Sequence, residues 1–378
     1  MMNISKRALL AGGTALLAAP RLAQAQTTVQ IGATVPITGP FAPSGIQYYN
    51  SLRMAQDDIN AVAGGPRLRF VIEDTGGNNT TAVNAFVKLV RQTAPPLIFL
   101  SSLSTQNLAS EPEVGRARIP CLYAGGAIAV AERGNNWMFR IRPADNLGAA
   151  AIGFAVTDVL KRSKPGILYT QDDYGTGASN AIEALLKERG VDVVAKEAFS
   201  PRDNDFSAQL LSLRSKGADA IILFAYNRDG ALILRQRRSL GIDLPLIGGS
   251  ALIAPSTLDL VEPADLAGVH AAGDTVLGSV ISPQSEDFVK RYTDRWGFAP
   301  DPFGAAYYDG ALIVAQALKD VGPDAQKIRD YLAALRDFRG IARTYRTDEK
   351  NNMAHSVVLV VFQPGTKQFR PLATFPPA

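Results

Sequence analysis

The chain has 378 residues, a formal charge of +4, 47% hydrophobic and 20% charged residues, the composition of an ordinary globular protein. Without the leader-like residues 1–25, which carry Lys6, Arg7 and Arg21 and no acid, the formal charge falls from +4 to about +1, and no basic stripe remains for nucleic acid. Cys121 is the single cysteine and His270 and His355 are the two histidines, which excludes an intramolecular disulfide and leaves little for metal or general-base chemistry.

Lys6 and Arg7 form a basic n-region, residues 8–19 an apolar and small-residue h-region, and Ala23-Gln24-Ala25 a small-x-small cleavage site. Residues 1–25 therefore read as a signal peptide, and the mature chain is expected to begin near Gln26. The apolar run is shorter than the roughly 20 residues that span a bilayer, and no later run reaches that length. No cysteine follows the cleavage site to carry a lipid. Ser5-Lys6-Arg7-Ala8-Leu9-Leu10 resembles a twin-arginine signal with lysine in the first basic position. The remaining chain exceeds the size at which single cores stop growing, around 250 to 300 residues, so two domains are expected.

In chain order, short apolar or β-branched runs predict strands at 29–35, 68–72, 97–100, 119–123, 166–169, 191–195, 220–225, 244–247 and 269–272. Helical patterns lie between them at 46–62, 80–93, 147–162, 179–189, 206–216 and 229–240. Ser44 with Gln47 reads as a capping box for the first helix, after the turn-forming segment Thr38-Gly39-Pro40-Phe41-Ala42-Pro43. Alternation of this kind implies parallel sheets with helices on both faces. Two series, 27–142 and 147–272, have similar length and order and predict two α/β lobes. A third block follows, with helices at 283–296, 303–318 and 324–335 and a strand at 356–362. No long Pro- or Ser-rich linker separates it, so it is expected to pack onto the lobes.

Catalytic signals are absent. His270 lies in a strand-like run and His355 just before another, so both read as structural. There is no nucleophile elbow, metal-binding helix motif or P-loop. Tyr174-Gly175-Thr176-Gly177 is the nearest glycine-rich match and lacks the third glycine of a dinucleotide fingerprint. No enzyme, metal or cofactor is expected. Cys121, inside an apolar stretch, reads as a buried small hydrophobe.

Several segments occur in a telling order: Ile31-Gly32-Ala33-Thr34, Thr38-Gly39-Pro40, Gln56-Asp57-Asp58-Ile59-Asn60, Ser101-Ser102-Leu103-Ser104-Thr105-Gln106, Gln171-Asp172-Asp173-Tyr174-Gly175, Leu234-Arg235-Gln236 and Tyr308-Asp309-Gly310-Ala311. Over essentially the whole mature length the chain resembles the leucine/isoleucine/valine-binding protein family, type I periplasmic binding proteins that serve ABC importers. The resemblance implies two doubly wound lobes joined by three crossings, residues 27–143 plus 276–347 and residues 144–275 plus 348–378, which close on a ligand by a hinge motion. It also implies a periplasmic location, a small carboxylate or amino acid as ligand and an ABC permease in the membrane as partner. A monomer is expected, because closure needs free lobes and no heptad signal is visible. A ligand-sensing receptor module of the same fold is the alternative, and a secreted hydrolase a third class.

Ser101 and Ser102 end a strand and lead into a helix near Ser104, so hydroxyls and unpaired amides converge with the positive end of a helix dipole, a setting for an anion. By the resemblance, Ser102 and the backbone around Gly125, Gly126 and Ala127 hold a ligand carboxylate, with Ala127 where a hydroxyl residue is often found. Tyr174, Tyr226 and Phe303 correspond to aromatic pocket walls, and Ser44 to another pocket position. Ser250 stands where amino-acid-binding members place an acid for the ligand ammonium. Either Asp229 or Asp173 substitutes, or the ligand lacks an amine, the case that Arg228 beside Tyr226 favours.

Overall fold

The computed structural model describes residues 28–201, 203–274, 276–277, 282–341 and 343–376. The expected signal peptide lies outside these residues.

The first series forms β1 (Thr28–Val35), α1 (Ala42–Ala61), β2 (Arg67–Asp74), α2 (Asn79–Thr93), β3 (Ile98–Phe99), α3 (Ser104–Ala117), β4 (Cys121–Tyr123), α4 (Ile128–Glu132) and β5 (Met138–Arg140). Its strands make a parallel sheet in the order β2-β1-β3-β4-β5. Neighbouring residues on these strands alternate between two buried layers. Phe99, Leu122 and Phe139 face one core, while Ile98, Cys121 and Met138 face the other, as helices on both faces require.

The second series continues through α5 (Asp145–Phe154), which ends in a π-turn at Ala155–Val159, then β6 (Pro165–Thr170), α6 (Asp173–Glu188), β7 (Ala195–Phe199), α7 (Ser207–Ser215), β8 (Ala220–Phe224), α8 (Asn227–Ser239), β9 (Leu246–Gly248), α9 (Pro255–Leu258) and β10 (Val269–Gly273). After it come α10 (Pro283–Trp296), α11 (Pro302–Val321), α12 (Ala325–Ala333), β11 (Phe338–Arg339), β12 (Thr344–Thr347), β13 (Met353–Ala354), β14 (Val357–Phe362) and β15 (Phe369–Phe375). The second sheet has seven strands in the order β15-β14-β10-β9-β8-β6-β7, parallel from β7 to β10 and antiparallel at β14 and β15. Here too Leu168, Leu223 and Leu246 face one core and Ile167, Ile222 and Ile247 the other.

The third block belongs to the first sheet's core. Phe288, Tyr307 and Val314 of α10 and α11 pack with Ile31 and Val35 of β1 and with Tyr48 and Leu52 of α1. Tyr48 and Tyr307 stack at 4.6 Å. Met353 is still in this core, whereas Val357 is in the second, so the chain changes lobes between them.

Three expectations need correction. The strand expected at 191–195 is β7, four residues later. The Val191 amide bonds Leu186 O to close off α6, Gly190 takes φ +74°, and the ladder starts only at Gly166 opposite Ala195. Val191 and Val193 fill the side of the core from a loop. The helix expected at 179–189 begins earlier, because Asp172 caps it by accepting from the Gly175 amide at 2.9 Å. The Ser44–Gln47 capping box does not form. Helix α1 starts at Ala42 with proline in its first turn, and Gln47 instead bonds Ala299 O and the Asp301 amide, both at 3.2 Å. Strands β5, β11 to β13 and β15 were not anticipated. They are short, or, in β15, interrupted by Pro371 on a sheet edge.

Candidate functional site

The carboxyl ends of β3, β6 and β8 open onto one cleft between the two lobes, about 840 Å³ counted out to its mouth. Ser44, Ser102, Gly126, Tyr174, Tyr226, Ser250 and Phe303 all line it, so seven of the nine expected positions come together. Loops after parallel strands meet at such a crevice because every strand ends on the same side.

On the first lobe, Ser101 and Ser102 have separate tasks. The Ser101 hydroxyl points inward, donating to Gln106 Oε1 at 2.6 Å and accepting from the Leu103 amide. The Ser102 hydroxyl lies 2.6 Å from the Tyr48 hydroxyl on the cleft wall. No side chain caps α3, so its first amides remain unused by a cap beside Ser102. Burial pushes the Tyr48 phenol well above its ordinary value, and it stays a neutral hydrogen-bonding group.

Gly125 and Ala127 do not face the cleft. A β-carbon on Gly125 would meet Asn107 Oδ1 at 2.2 Å, so this residue packs against α3. The Ala127 amide bonds Ser104 Oγ at 3.1 Å, and its carbonyl accepts from Arg140 Nη2 at 2.8 Å. Arg140, fully buried, also donates to Gly126 O and to the Tyr123 hydroxyl. One guanidinium therefore pins the whole turn and leaves Gly126 alone at the surface of the cleft.

On the second lobe, Tyr174 stands in the first turn of α6 and Tyr226 just before α8, their rings 5.4 Å apart. The Tyr226 hydroxyl donates to Asp172 Oδ2 at 2.8 Å. Across the cleft, Phe41 meets the Tyr226 ring edge-on at 4.9 Å, and the Ser44 hydroxyl donates to Asn227 Oδ1 at 3.3 Å.

Sequence reasoning missed the charged floor. Arg142 and Asp145 come from the first crossing and Asp274 from the second, and all three line the cleft. Arg142 Nε lies 2.6 Å from Asp274 Oδ2 and Nη2 3.2 Å from Oδ1, and its guanidinium sits 5.2 Å from the centre of the Phe303 ring. Burial opposes the charge on Arg142, but Asp274 and Asp145 beside it outweigh that and hold it protonated. Burial pushes Asp145 up to about 6 despite Arg142. An Arg-x-x-Asp pair at the join between the two series was the available signal.

Ser250 lines the cleft and is also tied to the second crossing. Its hydroxyl accepts from the Asp274 amide at 2.9 Å and lies 3.4 Å from Ala272 O, so it holds the second crossing in place. The substitutes considered for it lie elsewhere. Asp229 pairs with Arg228 at 2.9 Å in a smaller pocket outside the Phe41–Tyr226 contact, and Asp173 is not among the lining residues of the main cleft.

Two doubly wound lobes, three crossings and an aromatic-walled cleft at the strand ends define a two-lobed binding protein. The family described as periplasmic binding protein matches residues 28–367, and the chain belongs to that family. It is 28% identical over 334 residues to a Leu/Ile/Val-binding protein homolog of Brucella suis, covering 84% of this chain and 82% of that one. A leucine binding protein from Thermotoga maritima superposes with a TM-score of 0.84 at 25% identity, over 92% of this chain and 99% of that one. A solute binding protein from Rhodopseudomonas palustris in complex with 3,4-dihydroxybenzoic acid shares the fold at 19% identity, with a TM-score of 0.84 over 92% and 97% of the two chains. The family and these neighbours are solute-binding proteins rather than enzymes, and membership implies an extracytoplasmic location. Among the described residues, no helix is long and apolar enough to cross a membrane.

Proposed function

We propose that this chain is the receptor of an ABC importer, which captures a small carboxylated ligand, either amino-acid-like or an aromatic or aliphatic acid, and presents it to a membrane permease. The observation that carries this reading is the Ser102 hydroxyl with its Tyr48 partner at the uncapped start of α3, facing aromatic walls from the other lobe. Hydroxyl donors, open helix amides and a dipole favour an anion, while Tyr174, Tyr226 and Phe303 suit an apolar or aromatic body. Ser44, Ser102, Gly126, Tyr174, Tyr226, Ser250 and Phe303 form the contact set, with Gly125 and Ala127 as support behind it. The names of the relatives, one a leucine binder and one solved with an aromatic acid, span the same ligand range.

The working division is residues 27–143 plus 276–347 and residues 144–275 plus 348–378, with Met353 favouring a third crossing a few residues later. Closure about these crossings makes and breaks the Phe41–Tyr226 and Ser44–Asn227 contacts. The receptor acts as a monomer in the periplasm. A thermal-shift screen of amino acids, aliphatic acids and aromatic acids tests the reading. Ligand at a hundred times its Kd stabilises the fold by about 2.7 kcal/mol; no shift from any carboxylated compound would sink it.

A further inference from the structure

Arg140, the last residue of β5, is fully buried, yet among the described residues its nitrogens meet only neutral oxygens. Nε donates to the Tyr123 hydroxyl at 3.3 Å, Nη1 to Gly126 O at 3.1 Å and Nη2 to Ala127 O at 2.8 Å. Burying a charge is costly, and neutral oxygens offset the loss of water less fully than a carboxylate does. The backbone of the same residue holds a different segment. Its amide donates to Asn351 O at 2.9 Å, and Arg140 bridges Asn352 in the parallel sense. Asn351, at φ +58°, and Asn352 belong to the tip of the hairpin β12–β13. Asp348 builds that tip: its Oδ1 accepts from the Lys350 and Asn352 amides at 2.9 and 2.7 Å, and its Oδ2 from Asn352 Nδ2 at 2.9 Å. Just beyond the tip, between Met353 and Val357, the chain changes lobes. Gly126 lines the cleft, whereas Asp348, Asn351 and Asn352 do not.

Resting on the reading that Gly126 meets the ligand, we infer that Arg140 is a positioning residue that ties the Gly126 turn to the third crossing, so that the hairpin tip, outside the cleft, sets how tightly the ligand is held. The path is short and continuous. The tip fixes the Arg140 backbone, and the Arg140 guanidinium fixes the carbonyls of Gly126 and Ala127. Gly126 O also accepts from the Asp145 amide at 3.0 Å, which brings the start of the first crossing into the same set of bonds. Hinge closure turns on the segments that join the lobes, and these bonds carry their movement to the cleft wall. A shorter or neutral side chain at 140 could fill the space, but it could not hold two successive carbonyls and the Tyr123 hydroxyl at once, as the planar fork of arginine does.

The test uses Asp348→Ala, an exposed change away from the cleft lining, beside Arg140→Lys and the double variant. Calorimetry with leucine, phenylalanine, 4-methylpentanoate and benzoate gives the affinity of each probe that the wild type binds, and hydrogen exchange of the ligand-free protein reads the turn itself. Asp348→Ala should weaken the tightest probe about tenfold, the effect of one ligand hydrogen bond drawn out of line, and should speed exchange of the Ala127 and Asp145 amides. Arg140→Lys should do the same, and the double variant should lose little more, because both changes act through one path. A purely structural role predicts lower melting temperatures with wild-type affinity and wild-type exchange at those amides, and that result overturns the inference. Where Arg140→Lys does not fold, Asp348→Ala decides alone. Binding of no probe by the wild type removes the carboxylate-receptor reading, and unchanged exchange at Ala127 and Asp145 in Asp348→Ala removes the tie, so the two failures are told apart.

Discussion

Ser102 and Ser250 both present hydroxyls to the cleft, and their partners separate them. Among the described residues the Ser102 hydroxyl meets that of Tyr48, so its removal is expected to act on the ligand. Ser102→Ala should weaken every carboxylated ligand by about 1.5 to 3 kcal/mol, the worth of a charge-assisted hydrogen bond, with the melting temperature of the free protein little changed. Equal affinity of the two proteins in calorimetry would remove Ser102 from the site. Ser250 is buried and holds the Asp274 amide. Ser250→Glu puts another carboxylate beside Asp274 and strands that amide, a buried unsatisfied group that costs about 1 to 3 kcal/mol. The variant should melt lower and bind both amino acids and simple acids less tightly. An unchanged melting temperature with tighter amino-acid binding would return position 250 to the role of amine receiver.

At the level of elements, α1 and α6 both enter the cleft by lying directly on the end of the preceding strand, and a glycine makes each approach possible. A β-carbon at Gly45 would stand 1.9 Å from Pro36 O, and one at Gly175 2.1 Å from Thr170 O. Both contacts are with backbone, which cannot rotate out of the way as a side chain can. Gly45 holds Ser44 and Tyr48 against the cleft, and Gly175 does so for Tyr174. Gly45→Ala should therefore force α1 outward, lower stability by about 1 to 3 kcal/mol as overpacking does, and weaken ligand binding as well. Denaturant unfolding and calorimetry on the same variant check both parts; wild-type values in both would mean that the strand end yields without consequence.

For the whole molecule, pH dependence follows from carboxylates that folding buries. Burial pushes Asp301 up to about 7 and Asp309 and Asp145 up to about 6. Folded values above the ordinary 3.8 mean that the folded state binds more protons. The stability these groups contribute is therefore complete below that value and is lost as pH rises through about 6 to 7. Burial lowers His270 and His355, which disfavours the folded state as pH falls and so opposes the carboxylates. The carboxylate contribution is therefore read from the difference between wild type and an Asp301 variant across pH 5.5 to 7.5. Asp301 supplies the test, since its Oδ1 caps α11 by accepting from the Gly304 amide at 2.6 Å and its Oδ2 has no partner among the described residues. Asp301→Asn keeps the cap without the charge, so it should be at least as stable as wild type at pH 7.5 and gain on it as pH rises across that range. A variant that melts well below wild type at pH 7.5, with the difference constant across the range, would mean that Asp301 stays ionised and partnered.

The alternation of strands and helices, the two series and the strand-to-helix turn at Ser102 were legible in the sequence, because burial periodicity and turns are local signals, whereas Tyr174 and Tyr226 were reached through the family resemblance. Even there, local pattern misled where tertiary pairing overrode it: Val191 and Val193 look like a strand, yet the ladder with β6 begins at Ala195. The family resemblance placed α10 and α11 with the first lobe, where they pack with Ile31 and Tyr48, but only the tertiary structure decided that Arg140 turns Ala127 away from the cleft and that a charged floor exists. Arg142 and Asp274 are 132 residues apart in the chain. They meet because a strand of the first sheet ends at the first crossing and a strand of the second sheet at the second, side by side, and no window of sequence contains a contact that two separate lobes must fold before making.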